Sequence, residues 1–154
     1  NIKIVRMCPT DKEQRKSLSS WNCKELFDFL SNAGIPVIIP MTSISFDEVY
    51  RILSEFTGLR MILSDLNYRV DRDLYPLLKQ LPNLYIETMG YKVHMGIEAI
   101  CSIFGAHRLI FGSSMPVKSG ASAVAMINYA RIGVEEKKLI ASGNLERLLK
   151  EVRI

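Results

Sequence analysis

Two carboxylates, Asp65 and Glu87, stand at the ends of short apolar runs of the sequence, in "MILSDL" and "LYIE". A pair of carboxylates at neighbouring strand ends can act as general acid and general base, or can hold a divalent cation. The sequence therefore predicts Asp65 and Glu87 as catalytic residues. The alternative is structural, with the same carboxylates paired with Arg6 or accepting hydrogen bonds from backbone N–H groups.

A third polar group follows another apolar run, in the stretch "FGSSMP", where Ser113 and Ser114 come directly after a glycine. Ser114 is predicted as a catalytic residue, and as a nucleophile it would need a base within hydrogen-bond reach. The chain has two histidines. His94 falls in a predicted loop, and His107 precedes the apolar run, at the opposite end of the predicted strand. The sequence thus offers Ser114 no evident histidine partner.

Three further residues are predicted to bind substrate. Arg6 and Cys8 lie at the end of the first apolar run, and Tyr91 lies in the segment after "LYIE", together with Lys92 and His94. As a functional segment, Tyr91 to His94 would form a lid or a substrate loop. The alternatives are a plain buried thiol at Cys8 and an ordinary solvated connection at Tyr91.

Composition sets limits on the class of protein. The 154 residues suffice for one domain, with 48% hydrophobic and 23% charged residues, as in ordinary globular proteins. The net charge of +4 is mild and the basic residues are scattered, so no nucleic-acid partner is predicted. No apolar run approaches the ~20 residues that cross a bilayer, so no membrane partner is predicted either.

The cysteines and the first residue of the chain support two further predictions, one about the cellular compartment and one about the length of the protein. Cys8, Cys23 and Cys101 are far apart and form no C-x-x-C pair, which is typical of reduced thiols in a cytoplasmic protein. The chain begins with Asn1 and enters a strand-like run at once, which favours a fragment of a longer protein.

Five short apolar runs alternate with longer segments of helical periodicity: IKIV, IPVII, RMIL, LYIE and RLIF. Ile38, Ile62, Ile86 and Ile110 lie 24 residues apart and mark the centres of four strands, and Val5 marks the first. Near-continuous apolar strands separated by helices predict a parallel α/β sheet that is covered on both faces.

Local patterns predict where helices begin and end. Ser19 or Ser20 caps the first helix, which Gly34 ends. The stretch "SFDE" at 45–48 is a capping box that opens a second helix, ended at Gly58. The remaining predicted helices are 74–81, 97–104 ended by Gly105, and a helical tail from about residue 120, in which Asn144 is predicted to be a helix cap.

A repeat of 24 residues suits the βα unit of a (β/α)₈ barrel, and a flavodoxin-like open sheet would give the same alternation. A full barrel takes roughly 250 residues. Five strands cannot close that barrel, so the chain is predicted to be either part of one or a small open sheet.

The end of the chain resembles a known family. "GAHRLIFGSSMP", and the later pairs Gly143-Asn144 and Arg147-Leu148, resemble the last strand and final helix of the amidohydrolase-related (amidohydrolase 2 type) metal-dependent hydrolases. These are TIM barrels, and aminocarboxymuconate-semialdehyde decarboxylase is one of them. "KIVRMCP", "GIPVIIP", "MILSDL" and "NLYIETMG" resemble the four preceding strands. The resemblance implies that residues 1–154 form one incomplete barrel domain, its last five βα units.

The resemblance also implies a divalent metal such as zinc, but the ligand positions depart from the family. Pro40 stands where a histidine is usual, Asp65 replaces a second histidine, and Ser114 replaces the aspartate that ligates the metal and handles the proton of the attacking water. The family's H-x-H motif belongs to a strand outside this chain. A catalytic zinc wants about three protein ligands. We therefore predict no cofactor and no metal bound by these three residues.

Three functional hypotheses follow. The first is an amidohydrolase-like hydrolase or decarboxylase that acts on a small molecule through an altered, metal-free site. The second is a non-catalytic relative that serves as a binding or scaffold protein. The third is a self-contained α/β domain that binds a phosphate ligand, although no glycine-rich phosphate motif supports it. The partner of the open sheet is predicted to be a second copy of the chain or an N-terminal part of the barrel.

Overall fold

A computed structural model describes residues 2–8 and 18–153, so that Pro9, the last residue of "KIVRMCP", lies outside the described part. One sheet of five parallel strands runs in chain order, and it confirms the predicted parallel α/β architecture. The strands are β1 (Val5–Arg6), β2 (Val37–Pro40), β3 (Met61–Ser64), β4 (Leu84–Glu87) and β5 (Leu109–Ile110).

The strand register departs from the regular spacing of the isoleucines. Ile38 pairs with Ile62, as a 24-residue repeat requires, but Ile62 pairs with Tyr85 and Ile86 pairs with Leu109. Because successive side chains of a strand point to opposite faces, this offset of one residue reverses the face on which Ile86 lies. Tyr85 takes the place beside Ile62 that the repeat assigned to Ile86.

The two faces of the sheet are buried against different parts of the chain. The face that carries Val37, Leu63 and Ile86 belongs to the main hydrophobic core. The opposite face, which we call the inner face, carries a smaller buried cluster of Ile62, Tyr85, Ile110 and Leu148, with Ile4, Ile38 and Leu145 packed against it. Burial of both faces is the arrangement expected of a parallel sheet.

The helices that follow the first four strands are present where they were predicted, but the second ends at Glu55, before Gly58, and the third begins at Asp71, before residue 74. Ser19 is at the N-cap position of the first helix, and Gly34 follows that helix with a left-handed φ of 65°. The Ser45–Glu48 capping box is present, with both reciprocal hydrogen bonds, at 2.9 and 3.2 Å. These helices are α1 (Ser20–Ala33), α2 (Phe46–Glu55), α3 (Asp71–Gln80) and α4 (Gly96–Phe104).

The predicted helical tail is present and doubles back onto the sheet. It contains α5 (Gly120–Tyr129), α6 (Val134–Lys138), a π-helical turn (Leu139–Gly143) and α7 (Asn144–Lys150). Arg60, which precedes β3, donates to the Leu148 carbonyl at 3.4 Å and forms an ion pair with Glu151 at 2.7 Å. Helix α7 therefore covers the inner face near the N-terminal ends of the strands. None of the helices in the described ranges is both long and apolar enough to cross a membrane.

Asn144 differs from its expected role. The "GN" pattern is typical of a helix cap, but the π-helical turn runs into α7 without a break, so the helix has no free start there. The fully buried Asn144 amide instead donates to the carbonyls of Ala106 and Leu109, at 2.8 Å each. It ties α7 to the strand β5 that leads to the candidate site.

Candidate functional site

A cleft of about 250 Å³ opens at the C-terminal ends of the strands. Four of the residues predicted from sequence line it: Arg6, Asp65, Glu87 and Ser114. The remaining lining residues are Ile38, Ile62, Ser64, Ile110, Phe111, Gly112 and Leu145. The cleft thus combines an apolar floor, formed by the inner face and α7, with a polar rim supplied by the strand ends.

Asp65 follows β3 directly and adopts a left-handed backbone conformation, with φ of 55°. Its Oδ2 lies 4.0 Å from an Arg6 guanidinium nitrogen and accepts a long hydrogen bond of 3.5 Å from the Ser64 hydroxyl. The side chains of Arg6 and Asp65 are 62% and 38% exposed, so this ion pair adds little to stability. Asp65 is held at the rim, where a molecule in the cleft can reach it.

Ser114 has the same unusual backbone conformation, with φ of 51°. Non-glycine residues with positive φ are uncommon, and such conformations cluster at ligand-binding and catalytic sites. The backbone carbonyl of Ser114 accepts from the Lys118 N–H at 2.9 Å, which closes the turn after β5. Two residues of left-handed conformation therefore face one cleft from separate strands.

Glu87 ends β4 and is more enclosed than Asp65. Burial raises the pKa of its carboxyl above the ordinary value, and the nearby charge of Asp65 raises it further. The Met89 N–H, which donates to Glu87 Oε1 at 2.9 Å, and the Lys118 ammonium act in the opposite direction. Burial is the largest of these causes, so the carboxyl keeps its proton to a higher pH than an exposed glutamate does.

The other predicted residues lie away from the cleft lining. Cys8 is half-buried beyond β1, and Pro40 is buried in β2, opposite Ser64. Tyr91, predicted to bind substrate, has a fully buried side chain whose hydroxyl donates to Asp71 at 2.7 Å. Its hydroxyl is therefore engaged within the fold rather than presented to the cleft. His94, in the same segment, is exposed.

Sequence reasoning missed Ser64, Gly112 and Leu145. Ser64 and Gly112 have a recognisable pattern, since each lies two positions beyond an inner-face isoleucine, Ile62 and Ile110 respectively, and so returns to the same face. Leu145 has no such local pattern, because its place depends on how α7 crosses the sheet.

The donor set does not fit the divalent metal that the family implies. Within residues 2–8 and 18–153, no three His, Cys, Asp or Glu side chains come together as a metal-binding group. The cleft offers two carboxylates, Asp65 and Glu87, and the hydroxyls of Ser64 and Ser114. Neutral hydroxyls are weak ligands, and zinc favours His, Cys and carboxylate donors.

Comparison with known proteins identifies the family. The Amidohydrolase family model matches residues 2–150. The chain therefore belongs to this amidohydrolase family, and the fold is part of a TIM barrel. No curated protein matches the chain.

Several solved structures share the fold at low sequence identity. An uncharacterised TIM-barrel protein from Bordetella bronchiseptica is 23% identical, with a TM-score of 0.82, over 97% of this chain and 57% of that one. A 2,6-dihydroxybenzoate decarboxylase from Rhizobium is 13% identical, with a TM-score of 0.69, over 96% and 61%. 4-Oxalomesaconate hydratase from Rhodopseudomonas palustris is 16% identical, with a TM-score of 0.68, over 96% and 55%. The chain thus spans little more than half the length of these structures.

Proposed function

We propose that the protein containing this chain is an amidohydrolase-family enzyme that acts on a small molecule by acid–base catalysis between Asp65 and Glu87, with no metal ion held by this chain. One observation carries the proposal: a single cleft holds two carboxylates in unlike environments, one at an exposed rim beside Arg6 and one enclosed. Carboxyl groups whose surroundings differ in this way are the usual basis for dividing the roles of acid and base.

The environments suggest which carboxyl has which role. Glu87, whose pKa is raised, serves as the proton donor, to the leaving group of a hydrolysis or to the carbon that loses CO₂ in a decarboxylation. Asp65, at the rim, serves as the base that accepts a proton from water or substrate. Arg6 and the hydroxyls of Ser64 and Ser114 orient polar groups of the bound molecule over the apolar floor.

A non-catalytic relative is the second candidate, and the contacts of the same carboxylates favour it. Asp65 is paired with Arg6, and Glu87 accepts from the Met89 N–H, so each carboxylate has a partner within the fold. In this interpretation the cleft binds a ligand, or supports a partner protein, without chemistry. Strand β1 is an edge of the sheet, and its further neighbour is proposed to be an N-terminal barrel segment or a second copy.

Two probes separate these candidates. The full-length protein, treated with EDTA, would be incubated with 2,6-dihydroxybenzoate for decarboxylation and with p-nitrophenyl acetate for hydrolysis. We expect turnover to survive chelation and to fall about 100-fold or more in Glu87→Gln and Asp65→Asn, the range for loss of a general acid or base. Glu55→Gln, on an exposed residue at the end of α2, is the matched control.

Three outcomes would count against the proposal. Turnover that returns only when zinc or manganese is added would contradict a metal-free reaction. Equal turnover by the unmodified protein, Glu87→Gln and Asp65→Asn would remove both carboxylates from the mechanism. Absence of turnover with both probes, combined with their binding at the cleft by NMR, would favour the non-catalytic candidate.

A further inference from the structure

We propose that Gly112 and Thr88 are positioning residues, which together form a socket that holds the Glu87 carboxyl at the edge of the cleft. The inference rests on the proposed function, because it concerns the residue to which proton donation is assigned. Gly112 belongs to the "FGSS" stretch after β5, and Thr88 follows Glu87 itself.

The socket is defined by the missing side chain at Gly112. A Cβ atom at this position would lie 1.6 Å from Glu87 Oε1, 2.3 Å from Cδ and 2.7 Å from Cγ. The Glu87 side chain therefore occupies the space that any larger residue at 112 would fill. Gly112 is not among the glycines of positive φ, so the requirement is for space and not for backbone conformation.

Thr88 links the end of β4 to the segment that follows β5. Its side chain is fully buried, its N–H donates to the Ile110 carbonyl at 3.0 Å, and its Oγ1 accepts from the Gly112 N–H at 3.4 Å. Since Glu87 is in register with Ile110, these bonds hold Gly112 directly beside the carboxyl. The Met89 N–H bond to Oε1 completes the socket, so that one carboxyl oxygen is held by the fold.

The charged groups around Glu87 come from two other segments. Asp65 follows β3, and Lys118 lies in the turn after β5. A methyl group at position 112 would force the carboxyl out of the socket and into the open cleft, where water reaches it. Because burial is the largest cause of the raised pKa, we expect this displacement to lower the pKa of Glu87 toward the ordinary carboxyl value.

The test measures the position and the titration of the carboxyl separately from turnover. Glutamate side chains labelled with ¹³C would be titrated by NMR in the full-length protein, in Gly112→Ala and in Thr88→Val, with Thr88→Ser as the variant that keeps the hydroxyl. Gly58→Ala is the matched control, because a Cβ there meets its nearest atom at 3.5 Å, an ordinary contact. Thermal melts show whether each variant is folded.

We expect the Glu87 pKa to fall in Gly112→Ala and Thr88→Val and to stay unchanged in Gly58→Ala and Thr88→Ser. At neutral pH, turnover of the test compound that the unmodified protein converts (2,6-dihydroxybenzoate or p-nitrophenyl acetate) would fall about 100-fold in Gly112→Ala, the usual effect of a misplaced catalytic group. An unchanged Glu87 titration in both folded Gly112→Ala and Thr88→Val would overturn the inference. If Gly112→Ala does not fold, Thr88→Val alone decides. If the Glu87 pKa falls in Gly112→Ala or Thr88→Val but the Glu87→Gln variant keeps full turnover, the socket is supported and the proposed function is rejected.

Discussion

At the scale of single residues, the cleft depends on where each strand ends. Asp65 lies directly after β3 and Glu87 is the last residue of β4, so parallel pairing is enough to bring both to one edge of the sheet. Their identity and spacing along the chain made this juxtaposition predictable. Their unlike surroundings were not predictable, because the enclosure of Glu87 depends on Gly112, which lies 25 positions further along the chain, on the neighbouring segment.

The enclosed carboxyl predicts a pH dependence of stability. Since its pKa is raised from 4.5 in the folded chain, the folded state holds this proton to higher pH than the unfolded state does. Its contribution to stability is therefore fully present below about pH 4.5 and is lost as the pH rises through the folded-state pKa. Glu87→Gln removes this loss, so the variant gains stability relative to the unmodified protein between pH 4.5 and neutrality. Urea unfolding of Glu87→Gln and of the unmodified protein, at pH 4.5 and at neutral pH, measures the difference in their free energies of unfolding. A difference that is the same at both pH values would contradict the enclosure of the Glu87 carboxyl.

At the scale of elements, local sequence carried most of the information. The Gly34 stop and the Ser45–Glu48 capping box are local patterns, and both are present where they were expected. The predictions that were wrong concern features that are set by contacts between residues distant in the sequence. The register offset that places Ile86 on the face of the main hydrophobic core, instead of the inner face, is set by packing across strands. The burial of Asn144 is set by the path of the final helix back to β5.

Helix α7 is predicted to stabilise the inner face chiefly through Leu148. This side chain is fully buried and packs with Ile62, Tyr85 and Ile110, the apolar residues beneath the cleft. Leu148→Ala should lower the free energy of unfolding by about 2–5 kcal/mol, the usual cost of a cavity left by a core leucine. Denaturant unfolding measures this change, and Leu139→Ala, at a 42% exposed position of the same tail, is the control. A loss of less than about 1 kcal/mol for Leu148→Ala, below the range for a buried leucine, would mean that α7 is not tightly seated.

At the scale of the whole molecule, five parallel strands form a portion of a TIM barrel of the amidohydrolase family. Alternation and the final "FGSSMP" stretch were enough to predict a partial barrel, and the family model confirms the family. Activity does not follow from the fold, since a decarboxylase and a hydratase share it at 13% and 16% identity. The chemistry of the whole protein is decided by the residues at the strand ends, together with whatever the rest of the barrel contributes.

Zinc binding by substituted proteins would show whether this part of the barrel has lost its metal site. In the full-length protein, Asp65→Asn should leave zinc affinity unchanged, because a single carboxylate among neutral hydroxyls contributes little to binding a transition metal. The double variant Pro40→His and Ser114→Asp should gain zinc affinity, since it adds one imidazole at the end of β2, the neighbour of β3, and one carboxylate in the segment after β5 that lines the same cleft as Asp65. Aspartate suits position 114, where φ is 51° and small polar residues tolerate the left-handed conformation. Isothermal titration with zinc, followed by elemental analysis, measures both effects, with Glu55→Gln as the control. Tight stoichiometric zinc in the unmodified protein that disappears in Asp65→Asn would show that Asp65 is a working ligand, and the metal-free proposal would then be wrong.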